Sequence, residues 1–238
     1  MKKNLVCLIA LLFALVSCVS VPIADTPKSI PMGEWKYKLL INGLSVGEAV
    51  IKKEENAANY ITTKSMSVKF GTEVIIELTD IITETKAFVP IKYDSRELVT
   101  KNNISQDVRI ISEYKGKNIV ITSGNRTRTV ALDRPFIVHG NYFMHSLIQQ
   151  GFQAKCKAEA NVYIQTSKVD ETSFVDETIV GLEKVSINGQ NENLIHSMQY
   201  TDGLKTADIY MDNRGIIRKM NFFYEKNYDT RFEMIIKE

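Results

Sequence analysis

Three histidines, three cysteines and a repeated acidic tetrapeptide are the residues whose chemistry could go beyond packing. His139 and His145 stand six apart, about 240° round a helix, so one helical face cannot offer both to a metal. No His-x-x-x-His or His-Glu pair occurs, nor Cys-x-x-Cys, Gly-x-Ser-x-Gly or a Gly-rich phosphate loop. Gly181-Leu182-Glu183-Lys184 lacks the spacing that a P-loop needs before it. Val169-Asp170-Glu171-Thr172 recurs as Val175-Asp176-Glu177-Thr178. A period of six puts the equivalent carboxylates on one strand face. Oxygen ligands suit Ca²⁺, but EF-hand spacing is missing, and a solvated strand edge is the expectation. Cys156 lies between Lys155 and Lys157, whose charges could activate a thiol. In a strand, however, both lysines point away from the sulfur, so a buried, inert thiol is expected. The residue types therefore name no catalytic group, no metal ligand and no cofactor, and the chain reads as a non-enzyme.

The remaining cysteines belong to the N-terminus. Lys2 and Lys3 precede an uncharged apolar run, Leu5 to Val16. Its twelve residues fall short of the roughly 20 that span a bilayer as a helix, so it reads as a removable export signal. Leu15-Val16-Ser17-Cys18 resembles the bacterial lipobox. That resemblance implies cleavage before Cys18, acylation of its sulfur and new amine, and a lipid-anchored envelope protein facing the periplasm from the outer or cytoplasmic membrane. Residues 1–17 are then signal, and residues 18–32, with Pro22, Pro27 and Pro31, a tether. Extended at about 3.1 Å per residue it would reach roughly 40 Å. Loss of the signal takes away two lysines and Cys7, leaving 28 basic against 28 acidic residues. A neutral chain lacks the electrostatic footprint of a nucleic-acid partner. With Cys18 acylated, Cys156 has no partner, and the fold must hold without an intramolecular disulfide.

Residues 33–238 must position whatever site exists, and their period is β. Asn42-Gly43 and Asn188-Gly189 supply the paired positive-φ positions of type I′ hairpins. They join Glu34–Ile41 to Leu44–Lys53 and Ile179–Ile187 to Asn193–Tyr200. Other β-rich runs are Tyr60–Phe70, Glu73–Thr83, Ile91–Thr100, Asp107–Tyr114, Asn118–Thr122, Arg126–Leu132, Ala158–Thr166, Thr172–Val180, Thr206–Met211, Ile216–Tyr224 and Thr230–Ile236. Val74 to Ile82 could also form a helix, which its β-branched residues weaken. The period breaks over Asn141–Gln150, where Phe143, Met144, Leu147 and Ile148 make one helical stripe. Asn141 suits the N-cap and Gly151 the C′ position. A single short amphipathic helix is expected, its stripe buried on the concave face of a curved sheet.

In that strand order the chain resembles an uncharacterised family of bacterial envelope proteins, a domain of unknown function, itself similar to the half-barrel of the lipoprotein carriers LolA and LolB. The matching residues are Gly33-Glu34-x-x-Tyr37, Gly43, Val46-Gly47-Glu48-Ala49, Val89-Pro90-x-x-Tyr93, Val180-Gly181 with Val185, and Asp212-x-x-Gly215. An acidic helix cap would fit the pattern better than Asn141. The resemblance implies one strongly curved antiparallel sheet, a half-barrel or open barrel, around the helix, and supplies no active-site residue.

Pockets are mostly apolar and aromatic, which makes Phe143, Leu147, Phe222, Tyr224 and Phe232 candidates to line a cavity. The expected role is a binding module for an apolar ligand such as a lipid or acyl chain. The alternative is a structural or assembly lipoprotein that binds another envelope protein through a sheet edge or the aromatic C-terminal hairpin.

Overall fold

A computed structural model describes residues 27–71, 74–165, 170–223 and 231–237. Fourteen strands form one antiparallel sheet: β1 (Gly33–Ile41), β2 (Leu44–Glu55), β3 (Asn59–Phe70), β4 (Val74–Thr85), β5 (Pro90–Lys101), β6 (Ile104–Lys115), β7 (Asn118–Ser123), β8 (Arg126–Ala131), β9 (Lys157–Gln165), β10 (Asp170–Ile187), β11 (Gln190–Thr201), β12 (Leu204–Met211), β13 (Ile217–Phe222) and β14 (Phe232–Ile236). The spatial order is β8-β7-β6-β5-β4-β3-β2-β1-β14-β13-β12-β11-β10-β9. Every neighbour except the β1–β14 pair is also a sequence neighbour, so nearly all of the sheet is a meander of hairpins.

The expected fold is the observed one, an open antiparallel sheet with one short helix among the described residues, α1 (Tyr142–Gln149). Both Asn-Gly pairs turn with positive φ, 50° and 80° at Asn42-Gly43 and 49° and 85° at Asn188-Gly189. Two equivalent turns, Asn102-Asn103 and Asp202-Gly203, also carry paired positive φ and extend their strands beyond the expected ends. Val74 to Ile82 is strand. The runs Thr172–Val180 and Ile179–Ile187 are a single 18-residue strand. A bulge between Ile179 and Gly181 shifts its register against β11, and that extra residue bends the strand.

Helix α1 ends as the sequence suggests. Gly151 donates to the Ile148 carbonyl at 2.9 Å and Phe152 to that of Leu147 at 3.1 Å, the two bonds of a Schellman cap. Phe143, Leu147 and Ile148 bury the stripe with Phe152 against Val162, Ile179, Ile195 and Met211. The start differs. The Asn141 side chain makes no cap bond to its own helix. Glu84 of β4 takes the Asn141 backbone N–H at 2.9 Å instead, so the missing acidic cap is supplied from across the sheet. Gly140 makes room for it, since a Cβ there would lie 2.6 Å from the carboxylate.

The two ends of the sheet meet through side chains. The Ser112 hydroxyl of β6 bonds the Gln165 side-chain oxygen of β9. Tyr114, Phe136 and Tyr163 form a ring cluster with centroids 5.7–6.3 Å apart. At the other extreme, Ile30 is only 3% exposed, so part of the proline-rich segment lies against the domain.

Candidate functional site

Strand register places a belt of polar side chains on the concave face. One row of cross-strand partners runs Ile51, Lys64, Asp80, Ser95, Ile110. The next runs Lys53, Thr62, Ile82, Tyr93, Ser112, Ile121. Glu84, two residues beyond Ile82, continues that face. Above the first row lies a cavity of about 160 Å³, lined by Ile82, Val138, Ile164, three tyrosines, Lys64, Asp80, His139 and Gln165. The segment leading into α1 forms its roof. The Lys64 ammonium donates to the His139 carbonyl at 2.7 Å. The Tyr93 hydroxyl lies near Ser95 and Asp80, and burial raises its pKa above the usual phenol value.

Lys53 and Lys64 are half-buried and His139 is exposed, yet protein crowds around each, and Lys64 and His139 line the cavity. Enclosure sets their protonation. It pushes the Lys64 ammonium below the usual lysine value, against the pull of Asp80 and Glu84. Enclosure and then the neighbouring Lys64 charge bring Lys53 to about 8. The same two causes hold His139 below the ordinary imidazole range. Burial raises Glu84 despite bonds from the Asn141 backbone and side-chain N–H groups at 2.9 Å. Across the interior, burial raises Glu177 to about 7, opposed by the Ser197 hydroxyl at 2.6 Å and the Lys53 charge. Two oxygens beside the cavity, Asp80 Oδ1 and Tyr163 Oη, are buried with no hydrogen-bond partner in the structure. Chemically, the hollow can hold a small molecule whose apolar part meets Ile82, Val138, Ile164 and the tyrosine rings, and whose polar part meets Lys64 and Asp80.

The candidates from sequence fall elsewhere. Phe143 and Leu147 belong to the core under α1. Phe222 and Phe232 are cross-strand partners with ring centroids 5.4 Å apart, in a separate cluster with Tyr37 and Met234. None of these four lines the 160 Å³ cavity, and Tyr224 and Cys18 lie outside the described residues. The acidic repeat is corrected in part. Glu177 is 5% exposed rather than solvated, because strand alternation turns it inward with Val175 and Ile179. His145 rests against Phe88, ring centroids 4.7 Å apart. Half-buried Cys156 packs at the edge of the α1 core, its sulfur 3.5 Å from the Gln150 carbonyl. Lys53, Lys64, Asp80 and Glu84 went unnoticed in the sequence, and Tyr93 entered only through the family pattern. Their signal was available, since Asp80-Ile82-Glu84 and Thr62-Lys64 alternate in phase once hairpin register is assigned.

The fold has a counterpart among solved structures. A β-barrel-like protein of Domain of Unknown Function DUF1849 from Brucella abortus superposes with a TM-score of 0.61 at 12% identity, over 86% of this chain and 95% of that one. That likeness concerns the fold alone, and it agrees with the expected half-barrel of an uncharacterised family. Weaker matches are a DUF1089 family protein from Pseudomonas aeruginosa (TM-score 0.40, 8% identity, 82% and 94% covered) and a presumed lipoprotein from Parabacteroides distasonis (0.31, 10%, 90% and 97%). No family model matches the sequence, and no curated protein does.

Proposed function

We propose that the chain is a lipid-anchored envelope protein whose β domain is a non-catalytic binding module, with its ligand in the hollow above Lys64 and Asp80. The observation that carries this reading is one cavity joining apolar walls to a cross-strand ammonium–carboxylate pair. Its volume limits the ligand. About 160 Å³ matches an engineered cavity of roughly 150 Å³ that takes benzene, and falls below the 300–1,000 Å³ usual for drug-sized ligands. The apolar ligand expected from sequence is therefore narrowed to a small amphipathic molecule, or to the end of an acyl chain whose remainder lies outside the cavity. The polar belt gives such a ligand an orientation, apolar end on Ile82 and Ile164, polar end at Lys64.

The unacylated mature chain, residues 18–238 carrying Cys18→Ser, tests the reading. Native mass spectrometry should find a small molecule retained from the producing cell, or saturable binding of hexanoate to decanoate. Ile164→Phe, which fills the cavity, should weaken binding about tenfold or more, since one buried apolar side chain is worth about 1.5–3 kcal/mol. No retained mass and no binding of any of these acids would overturn the ligand reading. The anchor is tested separately: incorporation of labelled palmitate should vanish in the full chain carrying Cys18→Ala.

A further inference from the structure

Lys64 and Asp80 stand directly opposite one another across the β3–β4 ladder. Their charges attract, yet the two side chains close no direct ion pair. The ammonium reaches instead to the His139 carbonyl at 2.7 Å. The Tyr93 hydroxyl stands near Asp80, but Asp80 Oδ1 is buried and has no hydrogen-bond partner. Opposite charges at facing strand positions stabilise a sheet when they pair, and a buried acceptor left unpaired bears its full desolvation cost. Both residues line the cavity, so a molecule held there can complete what the two side chains leave open. Tyr163, 4% exposed, is part of the same lining, and its hydroxyl oxygen is also buried without a partner.

The donors and acceptors define the head group that fits. An ammonium offers only donors and a carboxylate only acceptors, while a tyrosine hydroxyl does either. Lys64 spends a donor on His139, and its remaining N–H groups call for an acceptor. Asp80 Oδ1 calls for a donor. The surrounding charges are mixed: Lys53 and Lys64 interact with Asp80, Glu84 and Glu177.

Each kind of head group meets this setting differently. A ligand carboxylate would accept from Lys64 but set a like charge against Asp80 and leave Oδ1 without a donor. An ammonium would donate to Asp80 and repel Lys64. A ketone would accept from Lys64 and leave Oδ1 unpaired. A hydroxyl or a primary amide accepts from Lys64 and donates to Asp80 at once. We infer that the cavity selects a small apolar molecule whose head group is uncharged and both donates and accepts hydrogen bonds, a hydroxyl or a primary amide, over carboxylates, amines and ketones. The inference rests on the ligand reading above and names the polar end of that ligand.

Probes of one chain length separate the head groups: hexan-1-ol, hexanamide, hexan-2-one, hexylamine and hexanoate, titrated calorimetrically at neutral pH into the mature Cys18→Ser chain. The alcohol and the amide should each bind at least about tenfold more tightly than the other three, because a site built to hydrogen-bond a head group discriminates against one that leaves its buried atoms unpaired. Ile164→Phe should weaken both, which places them in the cavity. Asp80→Asn keeps the side-chain shape and an acceptor oxygen and removes the charge. In that variant hexanoate should gain on hexan-1-ol by about tenfold or more, a change of ratio that a general loss of packing does not produce. Alcohol and amide binding no tighter than that of hexanoate or the ketone overturns the inference and leaves the ligand reading standing. An unchanged hexanoate-to-hexanol ratio in folded Asp80→Asn does the same, and if that variant does not fold, the probe series on the parent chain decides alone. Alcohol binding that survives Ile164→Phe also overturns the inference. Binding of none of these probes overturns the inference and the ligand reading together.

Discussion

Glu177 shows what one residue does to this fold. Its folded-state pKa of about 7 lies above the ordinary 4.5, so the folded form holds the proton more tightly than the unfolded chain. Its contribution to stability is therefore fully present below about pH 4.5 and is lost as pH rises through about 7. At about 1.4 kcal/mol per tenfold change in proton affinity, ionised Glu177 costs the fold about 3 kcal/mol at pH 8. Glu177→Gln keeps a carbonyl oxygen for the Ser197 hydroxyl and removes the charge. Urea unfolding should show the variant matching the parent near pH 4.5 and exceeding it by about 2–3 kcal/mol at pH 8. Equal pH profiles for the two chains would contradict this assignment. The sequence made the carboxylate visible, as half of an acidic repeat, but not its environment. Glu171 and Glu177 share a strand face by period, yet Glu171 is exposed and Glu177 buried, because the Ser197 and Lys53 side chains reach only the second. Burial of that kind is set by register with distant strands.

At the scale of elements, turns were legible and close approaches were not. Paired positive-φ residues carry their own signature, so the Asn42-Gly43 and Asn188-Gly189 hairpins could be drawn from sequence. Nothing local marks that Glu84 caps α1, because residues 84 and 141 meet only after the sheet has curled. Gly140 records that meeting. Its φ is not positive, so its role is space, and Gly140→Ala should destabilise by about 1–3 kcal/mol, the usual cost of forcing atoms into a filled site. Glu84→Ala alone should cost about 2–4 kcal/mol through the stranded Asn141 N–H groups. With Glu84 truncated, the added methyl has room. The double variant should therefore be more stable than the sum of the two losses implies, a coupling that a double-mutant cycle in urea reads directly. Additive losses would mean that the carboxylate and Gly140 do not compete for one space. Gly47 makes a similar approach, since a Cβ there would lie 2.0 Å from the Ser67 carbonyl oxygen. Sequence marked Gly47 within the family pattern, and the structure supplies the reason: β2 and β3 come too close there for any side chain.

The whole molecule is held at two kinds of joint. The hairpin neighbours share backbone ladders, but the sheet ends are joined by the Ser112–Gln165 bond and the Tyr114, Phe136 and Tyr163 rings. A joint of side chains opens without breaking a ladder, and local opening follows the elements with the fewest buried apolar contacts. Tyr163 is 4% exposed and packs with Ile110, Ile119 and Ile121 of β6 and β7. Truncating a buried aromatic costs about 3–5 kcal/mol. In Tyr163→Ala that loss should fall unevenly. Amide exchange should accelerate across β6, β7 and β8, whose inner face rests on this seam. It should change little in β11 to β13, which pack on α1 and on the opposite core. The cavity should respond as well, because Tyr114, Tyr163 and Gln165 are part of its wall, so hexanoate-to-decanoate binding should weaken along with the seam. Uniform acceleration over all fourteen strands would show instead that the barrel opens only as one cooperative unit, with the seam as strong as the ladders.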